Sequence, residues 1–90
     1  MAKVTVKYYG NLRKLTQKME DIIEANTAGE VIEKLASRYG HSFYDEIHDK
    51  DGRIIYFFII NGDHYNQLGG LGAKLKDNDV LSLLLPIDGG

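Results

Sequence analysis

Apolar and polar residues alternate at the start of the chain, where Val4, Val6 and Tyr8 interleave with Lys3, Thr5, Lys7 and Tyr9. A period of two sends one set to each face of a strand, so this segment is expected to be half buried. Gly10-Asn11 breaks the pattern, and Leu12 to Leu15 reads as a short connector. Met19 to Ala25 reads as a second strand with weaker alternation, because Ile22 and Ile23 are adjacent. The period then changes. Thr27 followed by Glu30 fits a capping box, and Val31, Ile32, Leu35, Ala36 and Tyr39 recur on one face of a helix. Gly40 stands where a left-handed terminating residue belongs.

The segment from His41 to Arg53 is polar, with Phe43, Tyr44 and Ile47 as local anchors and Asp51-Gly52 as a turn signal. Ile54 to Ile60 is nearly all apolar and aromatic, which predicts a central strand covered on both faces. Asn61-Gly62 ends it in a tight turn. His64-Tyr65 reads as a very short strand, Gln67 to Lys76 as a glycine-rich loop, and Val80 to Leu85 as the last strand. Strand, strand, helix, strand, short strand, strand is an α+β arrangement: a mixed sheet of four to five strands with one main helix across one face. Residues 1–85 are expected to form one domain, and 86–90 a flexible tail ending in Gly89-Gly90.

Ninety residues suffice for one domain that buries roughly 60–65% of its unfolded surface. The absence of cysteine excludes disulfides, thiolate metal sites and a thiol nucleophile, and it fits a reducing, cytoplasmic compartment. The first residues alternate charge with β-branched side chains and form no signal peptide; no apolar run is long enough to span a membrane. A net charge of −2 argues against a general nucleic-acid binder. Five of the eleven basic residues lie between Lys3 and Lys18, which reads as a solvated face.

Several motifs fail on inspection. Gly69 to Lys74 lacks the Ser or Thr that a phosphate loop needs after its lysine, since Leu75 stands there. Asp49-Lys50-Asp51-Gly52 begins like a calcium loop, but Ile60 fills the closing glutamate position. His41, His48 and His64 share no metal-ligand spacing, and Ser37, Ser42 and Ser82 lie in no nucleophile-elbow context. What remains for chemistry is the end of the sequence. Gly89-Gly90 has no side chain to clash in a narrow channel, and a free carboxylate at Gly90 could be activated by another enzyme.

Four segments carry a family resemblance. Tyr8-Tyr9-Gly10-Asn11-Leu12-Arg13 resembles the aromatic-to-Leu-Arg segment after the first strand of the MoaD family, small subunits of molybdopterin synthase. Ile60-Asn61-Gly62 resembles that family's Val-Asn-Gly turn, and Leu75 to Val80 its Leu-x-Asp-Gly-Asp-x segment. Leu85-Pro86-Ile87-Asp88-Gly89-Gly90 resembles its Pro-Pro-Val-x-Gly-Gly ending, with Leu85 replacing the first proline. The match covers nearly the whole chain and implies a β-grasp, ubiquitin-like fold of the MoaD/ThiS type. The longer segment from His41 to Arg53 is similar to archaeal-type members, and Asn61 to Gly69 has features of the ubiquitin-related modifiers that serve tRNA thiolation.

The resemblance implies a non-catalytic sulfur carrier for molybdenum- or tungsten-cofactor synthesis. The Gly90 carboxylate would be adenylated by a MoeB-like, ubiquitin-activating-type enzyme that consumes ATP, the carrier itself holding no cofactor and no metal. It would then become a thiocarboxylate and donate sulfur inside a MoaE-like large synthase subunit. An extended tail from Leu85 to Gly90 reaches about 20 Å, and Pro86 stiffens its base. Strand parity supplies a partner surface. Leu81, Leu83 and Leu85 are expected to face the helix, with Ser82, Leu84 and Pro86 facing away. Tyr56, Phe58 and Ile60 are expected in the core, leaving Phe57 and Ile59 on the open face. With Tyr9, Leu12 and Ile87, these residues would form an exposed apolar patch beside the tail. Two other readings share the residues: a modifier or tRNA-thiolation carrier with the same tail chemistry, and a plain β-grasp interaction module.

Overall fold

The structure, a computed structural model, describes residues 1–85. The tail residues named above, Pro86, Ile87, Gly89 and Gly90, lie outside the described residues. The elements are β1 (Ala2–Tyr8), α1 (Asn11–Thr16), β2 (Glu20–Ala25), α2 (Ala28–Tyr39), α3 (His41–Ile47), β3 (Phe57–Ile60), β4 (Asp63–His64) and β5 (Val80–Leu84). They build one five-stranded sheet of order β2-β1-β5-β3-β4. β1 and β5 run parallel at its centre, while β2, β3 and β4 pair antiparallel with their neighbours.

The expected alternation is realised. Val4, Val6 and Tyr8 are buried from β1, Leu81 and Leu83 from β5, and Phe58 and Ile60 from β3, with Tyr56 just before it. Val31, Ile32 and Leu35 of α2 pack over them. Each fully buried Val, Leu or Phe contributes roughly 1.5–3 kcal/mol, so this layer dominates the driving force. Thr27 caps α2, its hydroxyl accepting from the Glu30 N–H at 3.2 Å. The Glu30 carboxylate reaches back one residue further than a capping box requires and accepts from Asn26 N–H at 3.2 Å. Asn61 and Gly62 both take positive φ, 51° and 95°, which a two-residue hairpin turn demands.

Four expectations need correction. Leu12 to Leu15 is not a connector but lies within α1, whose Leu12 is fully buried. The polar segment after Gly40 contains α3, which inserts Phe43 and Ile47 into the core. The Ile54–Ile60 run is a strand only from Phe57, and it lies next to the edge rather than at the centre. Its first part is diverted: Ile54 bridges His48, and Ile55 N–H donates to Ile47 C=O at 2.8 Å. The glycine-rich stretch folds into two short 3-10 turns, Tyr65–Leu68 and Gly70–Gly72. The second packs so closely on α2 that a Cβ at Gly29 would sit 3.1 Å from Leu71 C=O.

Candidate functional site

Among the described residues, one face of the sheet is covered by helices and the other is open. Register places its open-face residues in rows. Ile22 lies opposite Thr5 and Thr5 beside Val80. Glu20, Lys7, Ser82, Ile59 and His64 form the next row across the five strands. Leu84 pairs with Phe57 at the end where β5 leaves the sheet. Tyr9 follows β1 at that same end. It joins Gly10, Asn11, Tyr56, Leu84 and Leu85 in lining a depression of about 320 Å³.

Several contacts fix this end. Arg13 Nε donates to Tyr8 C=O at 3.0 Å, and the guanidinium lies 5.3 Å from the centre of the Tyr9 ring. That is cation–π range, and it holds the ring against α1. Tyr56 donates its hydroxyl to Glu46 at 2.6 Å. Burial and this bond push the Tyr56 phenol well above its ordinary value, so it stays protonated. His64 stacks on Phe57 with ring centres 4.7 Å apart and planes 12° apart. Its Nδ1 accepts from Asn66 N–H at 3.1 Å, which assigns the ring hydrogen of the neutral form to Nε2.

The predicted patch residues Tyr9, Phe57, Ile59 and Leu84 therefore lie on the open side, partly exposed. Leu12 does not. It is 0% exposed, because α1 turns it inward beneath the helices, so it cannot be part of an exposed patch. Leu85 also departs from its expected facing. At 42% exposure it is outside β5 and adds to the open rim instead of the core. Pro86 and Ile87 lie outside the described residues. Arg13, Tyr56 and His64 were not among the predicted site residues. The Leu12-Arg13 pair carried a local signal; the roles of Tyr56 and His64 come from Glu46 on α3 and from Phe57 across the hairpin, partners that become neighbours only in the folded chain.

A second polar centre lies on the covered side. Asp21 on β2 is buried and accepts hydrogen bonds from the hydroxyls of Tyr8, at 2.7 Å, and Tyr39. Lys18 at 3.0 Å and Arg38 at 3.3 Å reach its other oxygen. Burial alone would raise the Asp21 pKa, but the bonds from Tyr39, Tyr8 and Lys18 outweigh it and hold the carboxyl below its usual range. The cluster ties β1, β2 and α2 together and has every acceptor position used, which suits a structural hub better than a reacting centre.

Among the described residues no group of three or more His, Cys, Asp or Glu side chains is placed to hold a metal ion. No helix among them is long and apolar enough to cross a membrane. A wider depression, about 670 Å³, lies on the helical layer between α2, Tyr44, His48, Ile54 and Leu71, away from the last strand.

A helix-covered mixed sheet whose final strand runs parallel to its first defines a ubiquitin-like, β-grasp protein. Residues 6–90 match the ThiS family, and the chain belongs to that family. It is similar to small archaeal modifier protein 1 of Methanosarcina acetivorans, with 31% identity, a TM-score of 0.82, and 100% of this chain and 98% of that one covered. It is also similar to the Pyrococcus furiosus protein described as molybdopterin converting factor subunit 1, at 26% identity and TM-score 0.75, covering 97% and 100% of the two chains. A chain of the Amycolatopsis orientalis BexX/CysO complex aligns at 27% identity and TM-score 0.79, covering 97% and 99%. Comparison with curated proteins gives no match.

Proposed function

We propose that the chain is a sulfur carrier that bears sulfur as a thiocarboxylate at Gly90 and serves as the small subunit of a molybdopterin synthase. The observation that carries the reading is the family match, which runs through residue 90, joined to a last strand that ends beside the Tyr9–Leu84 depression. A Gly90 carboxylate oxygen attacks the α-phosphorus of ATP and pyrophosphate leaves. The adenylate is the electrophile that the bare carboxylate is not: hydrosulfide adds to its carbonyl carbon, the C–O bond to AMP breaks, and a thiocarboxylate remains. The protein contributes no acid or base to this sequence. It contributes a tail slender enough to enter a partner's site, and a docking surface of Tyr9, Phe57, Ile59 and Leu84, continued by Pro86 and Ile87. That surface is proposed to meet a MoeB-like activating enzyme and a MoaE-like large subunit in turn.

Similarity to molybdopterin converting factor subunit 1 supports the cofactor pathway. The higher identity with small archaeal modifier protein 1 supports a second reading, in which the same tail is used in protein modification or tRNA thiolation. Incubation with the host's activating enzyme, ATP and a sulfur donor, followed by intact mass measurement, should show one oxygen-to-sulfur exchange in the C-terminal peptide. Deleting Gly90 should abolish it. No exchange with the cognate enzyme would end the carrier reading and leave a plain interaction module. Exchange without sulfur delivery to a pterin precursor in the large subunit would favour the modifier reading.

A further inference from the structure

β2 is an edge strand, and its outer edge is open in a specific way. Tyr8 N–H donates to Met19 C=O at 2.9 Å. With the β1–β2 register, that bond fixes which residues face β1: Asp21, Ile23 and Ala25 do, whereas Glu20, Ile22 and Glu24 turn their backbone N–H and C=O groups away from the sheet. Among the described residues, Lys34 Nζ covers the Glu24 C=O, and no hydrogen bond reaches the backbone groups of Ile22. The strand has no proline, and its register with β1 is unbroken over six pairs. Edges are usually blunted by such interruptions. Here Ile22 is instead 60% exposed, and Met19 beyond it 66%.

The side chains add a code. Glu20, Ile22 and Glu24 project together onto the open face, reading acid, apolar, acid at strand spacing. On its inner side this row already faces Lys7, Thr5 and Lys3 of β1, position by position. The outer edge therefore presents the same acid–apolar–acid complement to an incoming strand. A second copy of this β2 is a poor occupant, because pairing about Ile22 sets glutamate against glutamate. Like charges directly opposite are destabilising. We propose that the free edge of β2 is a docking site for an extended basic segment of a partner protein, which adds as a sixth strand. Its pattern is a Lys or Arg, a β-branched residue, and a second Lys or Arg at alternate positions. Main-chain bonds to Ile22 would give affinity, and the two glutamates would give selectivity. Because β1 separates β2 from β5, such a segment can bind while the tail is engaged elsewhere. The proposal stands whether or not Gly90 carries sulfur.

The test uses the full chain and a short blocked peptide, Thr-Lys-Val-Thr-Val-Lys-Val, followed by amide NMR. Shifts should concentrate on Glu20 to Glu24, with peptide-to-Ile22 contacts. N-methylation of the central Thr and second Lys amides should abolish binding while leaving peptide charge intact. Exchanging both peptide lysines for glutamate, or making Glu20→Lys with Glu24→Lys, should weaken binding by ~10-fold or more, since two cross-strand attractions become repulsions. Lys34→Ala should tighten it by freeing the Glu24 carbonyl. Binding that ignores N-methylation is non-specific charge attraction and overturns the proposal. So do shifts centred on Tyr9 and Leu84, or no binding at millimolar peptide by either the native chain or Lys34→Ala.

Discussion

Replacing Asp21 tests whether the buried hub holds the first hairpin to the main helix. Its carboxylate is 5% exposed and accepts from two phenols and two cations. In Asp21→Ala the Tyr8 hydroxyl, on a fully buried residue, loses its acceptor, at a cost of about 1–3 kcal/mol for the unsatisfied group. Tyr39 is half-buried, so water can replace part of its loss. The exposed heads of Lys18 and Arg38 lose little. The expected total is about 2–4 kcal/mol, a large share of the 5–15 kcal/mol typical of a domain. With a urea slope near 1 kcal/mol/M, the midpoint should fall by about 2 M or more. Asp21→Asn keeps an acceptor of the same shape and should lose about half as much. The pH dependence carries a further check. The Asp21 pKa is lowered in the folded protein, so its stabilisation is fully present above the unfolded value of about 3.9. It is lost as pH falls through the lower folded value. Below about pH 4 the native protein should therefore lose stability more steeply than Asp21→Asn. A midpoint shift for Asp21→Ala worth under about 0.5 kcal/mol would refute the hub argument.

Leu83→Glu should unfold the chain, since it forces a charge into a site 1% exposed, whereas Leu84→Glu should stay folded by circular dichroism and lose partner binding by about 2 kcal/mol or more. The opposite result would invert the two faces. Leu12→Ala should cost about 2–5 kcal/mol of stability in urea denaturation, and Tyr9→Ala under about 1 kcal/mol, because only the first is fully buried; equal effects would show that α1 does not dock as described. At the alkaline end, burial and then the bonds to Asp21 raise the pKa of Tyr8 and Tyr39, and burial and then Glu46 raise that of Tyr56. Their contribution is present below the unfolded value of about 10 and is lost as pH rises through the folded ones. Tyrosinate absorbance from these three should thus rise together with loss of far-ultraviolet circular dichroism, and their ionisation in a still-folded protein would contradict the burial argument.

Period-two and helical patterns were legible wherever burial is decided by one face. β1, α2 and β5 emerged with the right residues inward, Leu85 just beyond β5 excepted, because each presents a clean stripe to a single opposing layer. α1 and α3 did not. Each is under eight residues, too short for a period to stand out, and each exists because Leu12, Phe43 and Ile47 find a common pocket in the core. Tertiary packing overrides weak local preference in such segments. The strand assigned to Ile54–Ile60 misled for a related reason. Its apolar run is continuous, yet the first part is apolar because it packs against α3 rather than because it joins the sheet. Of the candidate site, the open-face residues followed from parity alone. The Asp21 hub joins segments far apart in sequence, which no local pattern records, whereas Arg13 and His64 act on near neighbours, Tyr8 and Tyr9 for the first and Phe57 across the hairpin for the second.

The position of the hub keeps the buried polar centre apart from the end of the last strand. Asp21, Tyr8 and Tyr39 sit on the covered side at the β1–β2 hairpin, while the last strand ends beside Tyr9 and Leu84 on the open side. A second brace lies at the other end of β5. Asn61 donates to Asp79 at 2.8 Å and accepts from Val80 N–H at 2.9 Å, and Asp79 accepts from Lys76 N–H at 2.8 Å. β5 is thus anchored where it enters the sheet and flanked by two strands along its length, so tension applied at Leu85 is resisted by ladder hydrogen bonds loaded together in shear. A pull on the chain beyond Leu85 is therefore borne by β5 without first breaking the core. Phe57 and Leu84, where β5 ends, are already partly exposed, so covering them would remove water from apolar surface without uncovering anything already packed.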